Sequence, residues 1–188
     1  APKLIFTKRR DSTGNWTTYH DDVGINKVFY LDLTNLPASN TEQYRATPTS
    51  SVYTVGVGGD INNSSGTYVA YVFAEVEGFN KISSYVGNAN ADGPFVWCGF
   101  RPAYILIKSA SGAAENWVTH DNQRGPYNVI AARLEPNTND DEATNINAVD
   151  FLSNGFKLRT DDGMWNGSGN TFIFAAFAET PFKTANAR

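Results

Sequence analysis

One β-rich pattern occurs twice in this chain, and a duplicated pattern restricts the fold to a unit that can be built, and packed, two times over. Pro2-Lys3-Leu4-Ile5-Phe6-Thr7-Lys8 aligns with Pro102-Ala103-Tyr104-Ile105-Leu106-Ile107-Lys108. Asn15-Trp16-Thr17 aligns with Asn116-Trp117-Val118, and residues 67–75 align with 171–179. Phe79 closes the first copy and Phe182 the second. The offset grows from 100 (Leu4 to Tyr104) to 104 (Phe73 to Phe177), and the slips fall in Gly/Asn-rich stretches where loops absorb insertions.

The repeated segments read as strands. Residues 4–8 and 104–108 are short apolar runs of β formers, with Pro before and polar residues after. Residues 68–74 and 172–178 are apolar on both faces, which predicts central strands buried on two sides. Residues 51–57 and 155–160 are expected to pair with them across the turns at 62–66 and 166–169. A weak helical pattern covers 143–152. Residues 81–86 and 95–100 flank a Gly/Asn-rich stretch, 87–94, and predict a hairpin with a long mobile tip. The fold class expected is therefore all-β: two tandem β-sandwich-like repeats, residues 1–79 and 102–188, joined by a connecting hairpin at 80–101. No such hairpin precedes Pro2, so the chain is expected to be the C-terminal piece of a longer protein.

Composition limits the partners. The net charge is −4 and the longest basic run is Lys8-Arg9-Arg10. Nucleic acid and anionic membranes reward clustered Lys and Arg, so neither is expected as the main partner. Cys98 is the only cysteine, which excludes an intrachain disulfide and a thiolate metal cage. No apolar run reaches the roughly 18 residues of a membrane span, and residues 1–20 lack the form of a signal peptide. A protein of this kind acting outside cells is expected to leave by a route other than a signal peptide, such as host lysis.

Each candidate site in the sequence also has a structural role open to it. His20-Asp21 and His120-Asp121 stand in near-corresponding places and suggest a general base with an orienting acid. Neighbours on a strand point to opposite faces, however, so adjacency makes no dyad, and no catalytic residue is assigned. Adjacent acids such as Asp140-Asp141-Glu142 read as solvated turns, and Glu75 and Glu179 as strand-end residues. No cofactor or catalytic metal is expected; the oxygen-rich loops at 60–66 and 139–142 leave room for structural calcium, although the first fails the EF-hand pattern. Trp16 and Trp117 are repeated and read as packing. Trp165 differs: it lies in a polar loop, Asp161-Asp162-Gly163-Met164-Trp165-Asn166, without a counterpart of this form in the first copy. An exposed Trp beside Asp and Asn can stack on a sugar face, so Trp165, Asp161, Asp162 and Asn166 form the expected ligand-binding set. Packing against the sheet is the competing reading.

The stretches Tyr85-Val86-Gly87-Asn88, Asp92-Gly93-Pro94-Phe95-Val96 and Gly99-Phe100-Arg101-Pro102-Ala103 resemble a β-rich domain of tailed-bacteriophage structural proteins. So do Asn116-Trp117, Gly125-Pro126-Tyr127-Asn128, residues 150–157, and Ala176-Phe177-Ala178-Glu179 with Pro181-Phe182. The resemblance implies a tail-fibre-like virion module, assembled in host cytoplasm and acting extracellularly. It implies a homo-oligomer, with a trimer favoured, other virion proteins as partners, and attachment to a host-surface glycan. The alternative is a purely structural virion part, such as a capsid decoration or trimerisation element. Neither reading involves nucleic acid or membrane insertion. A depolymerase is a third reading, and it needs two carboxylates converging on a groove.

Overall fold

The structure is a computed structural model and describes residues 1–182. The chain forms two compact units, Ala1–Glu75 and Val76–Arg188. Both are antiparallel β structures, and among the described residues each contains one helical turn.

Unit 1 contains β1 (Pro2–Arg9), β2 (Thr17–His20), β3 (Lys27–Tyr30), β4 (Ala38–Ser39), β5 (Tyr44–Ala46), β6 (Thr54–Val55), the helical turn α1 (Gly59–Asn62) and β7 (Tyr68–Ala74). Its main sheet has the order β4-β3-β2-β1-β7, and β5 pairs with β6 in a separate ribbon. Ile5, Tyr19, Val28, Tyr44 and Ile61, drawn from both layers, form the core.

Unit 2 contains β8 (Asn80–Val86), β9 (Phe95–Trp97), β10 (Pro102–Ser109), β11 (Val118–Asp121), β12 (Val149–Leu152), β13 (Gly155–Leu158), the helical turn α2 (Gly163–Asn166) and β14 (Thr171–Ala178). Its two sheets run β11-β10-β14-β8 and β12-β13-β9. Their inner faces share one core that includes Ile105, Ile107, Val118, Phe151, Phe156, Trp165, Phe172 and Phe174. Alternating inward apolar residues on two facing sheets make this a sandwich.

The registers carry the duplication into three dimensions. Leu4 pairs with Phe73 and Tyr104 with Phe177, and in each ladder the register shifts just after the proline, between Pro2 and Leu4 and between Pro102 and Tyr104. A proline cannot donate to a ladder, and both copies accommodate it with the same irregularity. Lys8 and Lys108 likewise both turn to a carbonyl of the following loop, Gly14 O at 2.9 Å and Glu115 O at 2.7 Å.

Several expected pairings are corrected. Residues 81–86 and 95–97 are strands, but they form no hairpin: β8 pairs with β14 and β9 with β13, in opposite layers. The stretch 80–101 is thus built into unit 2. The strands near 51–57 and 155–160 pair with β5 and with β12 and β9, not with β7 and β14. The 143–152 segment ends in strand β12 and contains no helix. Strand β14 is buried on both sides, as its composition predicts, whereas Tyr71 and Val72 of β7 are 49% and 45% exposed. The reason is topological, because among the described residues β14 has a strand on each flank and β7 pairs with β1 alone.

Residues 87–94 are not a free tip. Asn166 is fully buried and its Nδ2 donates to Asn88 Oδ1, Asn90 O and Thr160 O at 2.7–2.9 Å. Its Oδ1 accepts from Asn88 N at 2.7 Å and its carbonyl from Ala89 N at 2.8 Å. Gly87 permits this approach, since a Cβ there would lie 2.3 Å from Gly167 O. Replacing Asn166 with Ala strands several of these buried groups, each worth about 1–3 kcal/mol. Asn166→Ala should lower the urea-unfolding free energy by about 2–4 kcal/mol and speed amide exchange across residues 87–93.

Candidate functional site

The residues expected to bind a ligand divide sharply. Asp161 and Asp162 are exposed, but Trp165 is 1% exposed and Asn166 0%. Asp162 caps α2 by accepting from Met164 N at 2.8 Å, which turns Trp165 inward. Trp165 Nε1 donates to His120 Nε2 at 3.0 Å, its carbonyl accepts from Tyr85 Oη at 2.7 Å, and the Arg133 guanidinium lies 5.2 Å from its ring centroid. No face of this indole is open for stacking, so the Trp165-centred sugar site is not formed. The loop has a structural counterpart in the first copy, of a different sequence and without a tryptophan. The turn α1 stands before β7 as α2 stands before β14, with Ile61 buried where Trp165 is.

The two His-Asp pairs are not equivalent. Ile5 pairs with Tyr19 and Ile105 with His120, so His120 corresponds to Tyr19, and His20 to Asp121. A one-residue slip places the two histidines on opposite faces of matched strands. His120 Nδ1 lies 2.9 Å from Ala132 O. A carbonyl only accepts and an indole N–H only donates, so the imidazole carries its proton on Nδ1 and is neutral. Asp121 turns away, accepting from Arg124 Nε at 2.6 Å and from the backbone N of Gln123 and Arg124. In unit 1 the Asp21 carboxylate accepts from Tyr19 Oη at 2.9 Å. Neither Asp orients its neighbouring His.

The acidic stretch 140–142 spreads rather than converges. Asp140 and Asp141 line a groove of about 240 Å³ with Arg133 and Glu135, while Glu142 pairs with Arg124 at 2.9 Å. Among the described residues no three His, Cys, Asp or Glu side chains gather as a metal site.

A different surface has the character of a binding site. Val96 of β9 points into the core at 5% exposure, so Phe95 and Trp97 share the outward face at 45% and 59%. Lys81 Nζ sits 5.7 Å from the Trp97 ring centroid. Gly99 follows with φ of +84°, and a Cβ there would lie 3.1 Å from the Trp97 ring. Gly99 also lines a shallow cleft of about 290 Å³ with Arg101, Ser153, Glu179, Thr180 and Phe182. At its floor Arg101 Nη1 donates to both Glu179 oxygens at 2.9–3.0 Å, and Asn122 Nδ2 donates to Glu179 Oε1 at 2.7 Å. An open aromatic plate beside a fixed carboxylate–guanidinium pair provides stacking and directional polar contact side by side. By sequence alone Phe95 and Trp97 belong to a hairpin and Glu179 to a strand end. The signal available was the period of two in Phe95-Val96-Trp97, which puts two aromatics on one face.

Burial pushes the His120 imidazole down to about 4, with Arg124 and Arg133 acting in the same direction and the Ala132 hydrogen bond opposing them. The unfolded chain, with an ordinary histidine, takes up a proton near pH 6.5. The folded state does not, so the His120 contribution to stability is complete above pH 6.5 and is lost as pH falls toward 4. Between pH 7 and 4.5 this amounts to roughly 2–3 kcal/mol. Urea titrations at the two pH values should show that extra loss in the wild-type chain and not in His120→Gln; equal pH dependence would refute the assignment.

No curated protein and no solved structure matched the chain. A family model described as "Domain of unknown function (DUF7483)" matches residues 1–181. That match spans both units, and the chain belongs to the DUF7483 family.

Proposed function

We propose that this chain is a β module of a phage virion appendage, the distal part of a tail fibre or a similar structure, that attaches to host-surface glycan through the Trp97 face of unit 2. The observation that carries the reading is the exposed pair Phe95 and Trp97 beside the Arg101–Glu179 cleft. Large aromatics paired on one outward face need a reason, and recognition is the usual one. The apolar face of a pyranose covers an indole well, while its hydroxyls meet the carboxylate and guanidinium. Such a site binds weakly alone, and several copies on one appendage would act by avidity. The resemblance of residues 85–103 to phage structural proteins supports the virion context.

The second reading, a purely structural virion part with no host ligand, is favoured by one observation, the uncovered apolar strand β7 of unit 1. It predicts a stable oligomer and no glycan binding.

A glycan array and a host-cell binding assay with the purified chain separate the two. Trp97→Ala should weaken glycan binding at least tenfold, about 1.4 kcal/mol, while changing the urea-unfolding free energy by less than about 1 kcal/mol, as surface substitutions do. Complete silence of the wild-type chain on the array and on host cells would sink the attachment reading.

A further inference from the structure

An open sheet edge is a template for pairing, and proteins blunt such edges with short strands, charges, prolines or bulges. Among the described residues the outer strands β4, β5, β6, β9, β11 and β12 are two to four residues long, and β8 carries Lys81. Strand β7 is the exception: seven residues, Tyr68–Ala74, without a charge or a proline. The one irregularity in its ladder lies at its end, opposite Phe73 and Ala74.

Hydrogen-bond alternation shows which groups face outward. Arg10 N donates to Thr67 O at 2.8 Å, so Thr67 faces β1. Antiparallel bonding alternates along a strand, so Tyr68, Ala70 and Val72 turn their N–H and C=O groups to the open flank. Strand β14 has the same phase in unit 2. There Ala110 N donates to Thr171 O on the β10 side, and Gly87 N donates to Asn170 O on the β8 side. In unit 2 that flank is taken by β8, an antiparallel strand.

We propose that the open flank of β7 joins two copies of this chain in a two-fold symmetric dimer, β7 pairing antiparallel with β7 of the second copy about Tyr71. Tyr71 is the midpoint of Tyr68–Ala74, so this register uses the whole strand. It is also the register in which sizes match. Ala70 comes opposite Val72 of the second copy, and Tyr68 opposite Ala74, so small is set against large. Ala70 and Val72 both face outward, as a hydrogen-bonded pair requires, and the two such pairs give about four central main-chain bonds. Tyr71 meets its own copy at the axis in a non-hydrogen-bonded pair, where side chains are closest. Trp16 stacks on Tyr71 at 6.2 Å and 26°, so the axis joins the two Trp16–Tyr71 stacks into one aromatic ladder. Placing the axis at Ala70 instead would set Ala against Ala and leave the end of the strand unpaired.

Charge favours a second copy as the occupant. Lys8-Arg9-Arg10 flanks the start of β7, and Glu75 follows its end. Arg9 pairs with Asp11 at 2.8 Å and Glu75 lies 3.6 Å from Lys3, whereas Arg10 is exposed and has no ion-pair partner among the described residues. In the proposed register Thr67, the cross-strand neighbour of Arg10, comes opposite Glu75 of the second copy. Each basic end therefore meets the acidic end of the other copy, twice per dimer. An isologous contact of this kind closes on itself and leaves no open β7 edge. It lies in unit 1 and its test reads no glycan, so it stands whether or not the Trp97 face of unit 2 binds one.

Sedimentation of the purified chain across about 1–100 µM, the range expected of so small an interface, tests this. The wild-type chain should pass from monomer to dimer and stop there. A monomer throughout, a trimer or an open-ended aggregate would overturn the proposal. Tyr71→Lys sets two cations together at the axis and should weaken the dimer at least tenfold; unchanged dimerisation would place the contact elsewhere and overturn it as well. Arg10→Glu should weaken the dimer severalfold at low salt and less at high salt, as a charge effect must. Oxidative cross-linking reads the register without relying on the lysine variant. Tyr71→Cys should give a covalent dimer on a non-reducing gel, because a non-hydrogen-bonded pair brings two Cα atoms within disulfide range. Val69→Cys, whose counterpart is Phe73, should not, and the native Cys98 is buried. Absence of the Tyr71→Cys cross-link, or an equal one through Val69→Cys, would overturn the pairing.

Discussion

Unit 2 depends on β14 being held between β10 and β8. A strand made of Phe, Ile and Ala on both faces is stable only where water is kept from both faces and from both edges, because its unpaired amides and its side chains would otherwise meet solvent together. The flanking strands meet that condition, and the remaining packing follows. Tyr85 of β8 stacks on Phe172 with ring centroids 5.2 Å apart and 11° between planes, and Phe156 meets Phe174 edge-on at 5.2 Å. Tyr85 then fixes the α2 carbonyl, α2 presents Trp165 to His120, and Asn166 ties the β8–β9 connection to the same turn. Aromatic burial of this extent dominates the stability of a sandwich this size.

The comparison between units isolates what that condition contributes. β7 and β14 are both runs of aromatic, β-branched and alanine residues with the same pairing to their inner neighbours, yet β14 is core and β7 is surface. The repeated tryptophans follow suit. Trp117 is 1% exposed, whereas Trp16 is half-buried and stacks on the exposed Tyr71 at 6.2 Å. Environment, rather than residue type, separates the copies.

The binding surface follows from the same architecture. β9 enters unit 2 as the edge strand of the smaller sheet, with Val96 anchored inward, so its two aromatics are presented outward on a rigid support. Gly99, in a conformation that favours glycine, then turns the chain past the Trp97 ring into β10 and brings Arg101 against Glu179 at the end of β14. The residues of the cleft lie far apart in sequence and meet because β10 and β14 are paired.

The amino-acid sequence determined where the strands lie, that they are made twice, and that the adjacent His and Asp residues form no dyad. These are local properties, set by β formers, turn residues and the period of two, and a duplication is visible wherever such signals recur. It did not determine which strands pair, because pairing is decided by long-range closure and by the surfaces each strand must cover. Nothing local in residues 81–97 says that β8 and β9 part to opposite layers. Nor did it determine which tryptophan is exposed: Trp165, in a polar loop, is drawn inward by the Asp162 cap and His120, while Trp97, in an apolar run, faces out because Val96 faces in. Exposure on a strand turns on a single residue of register, and only the tertiary structure fixes the register.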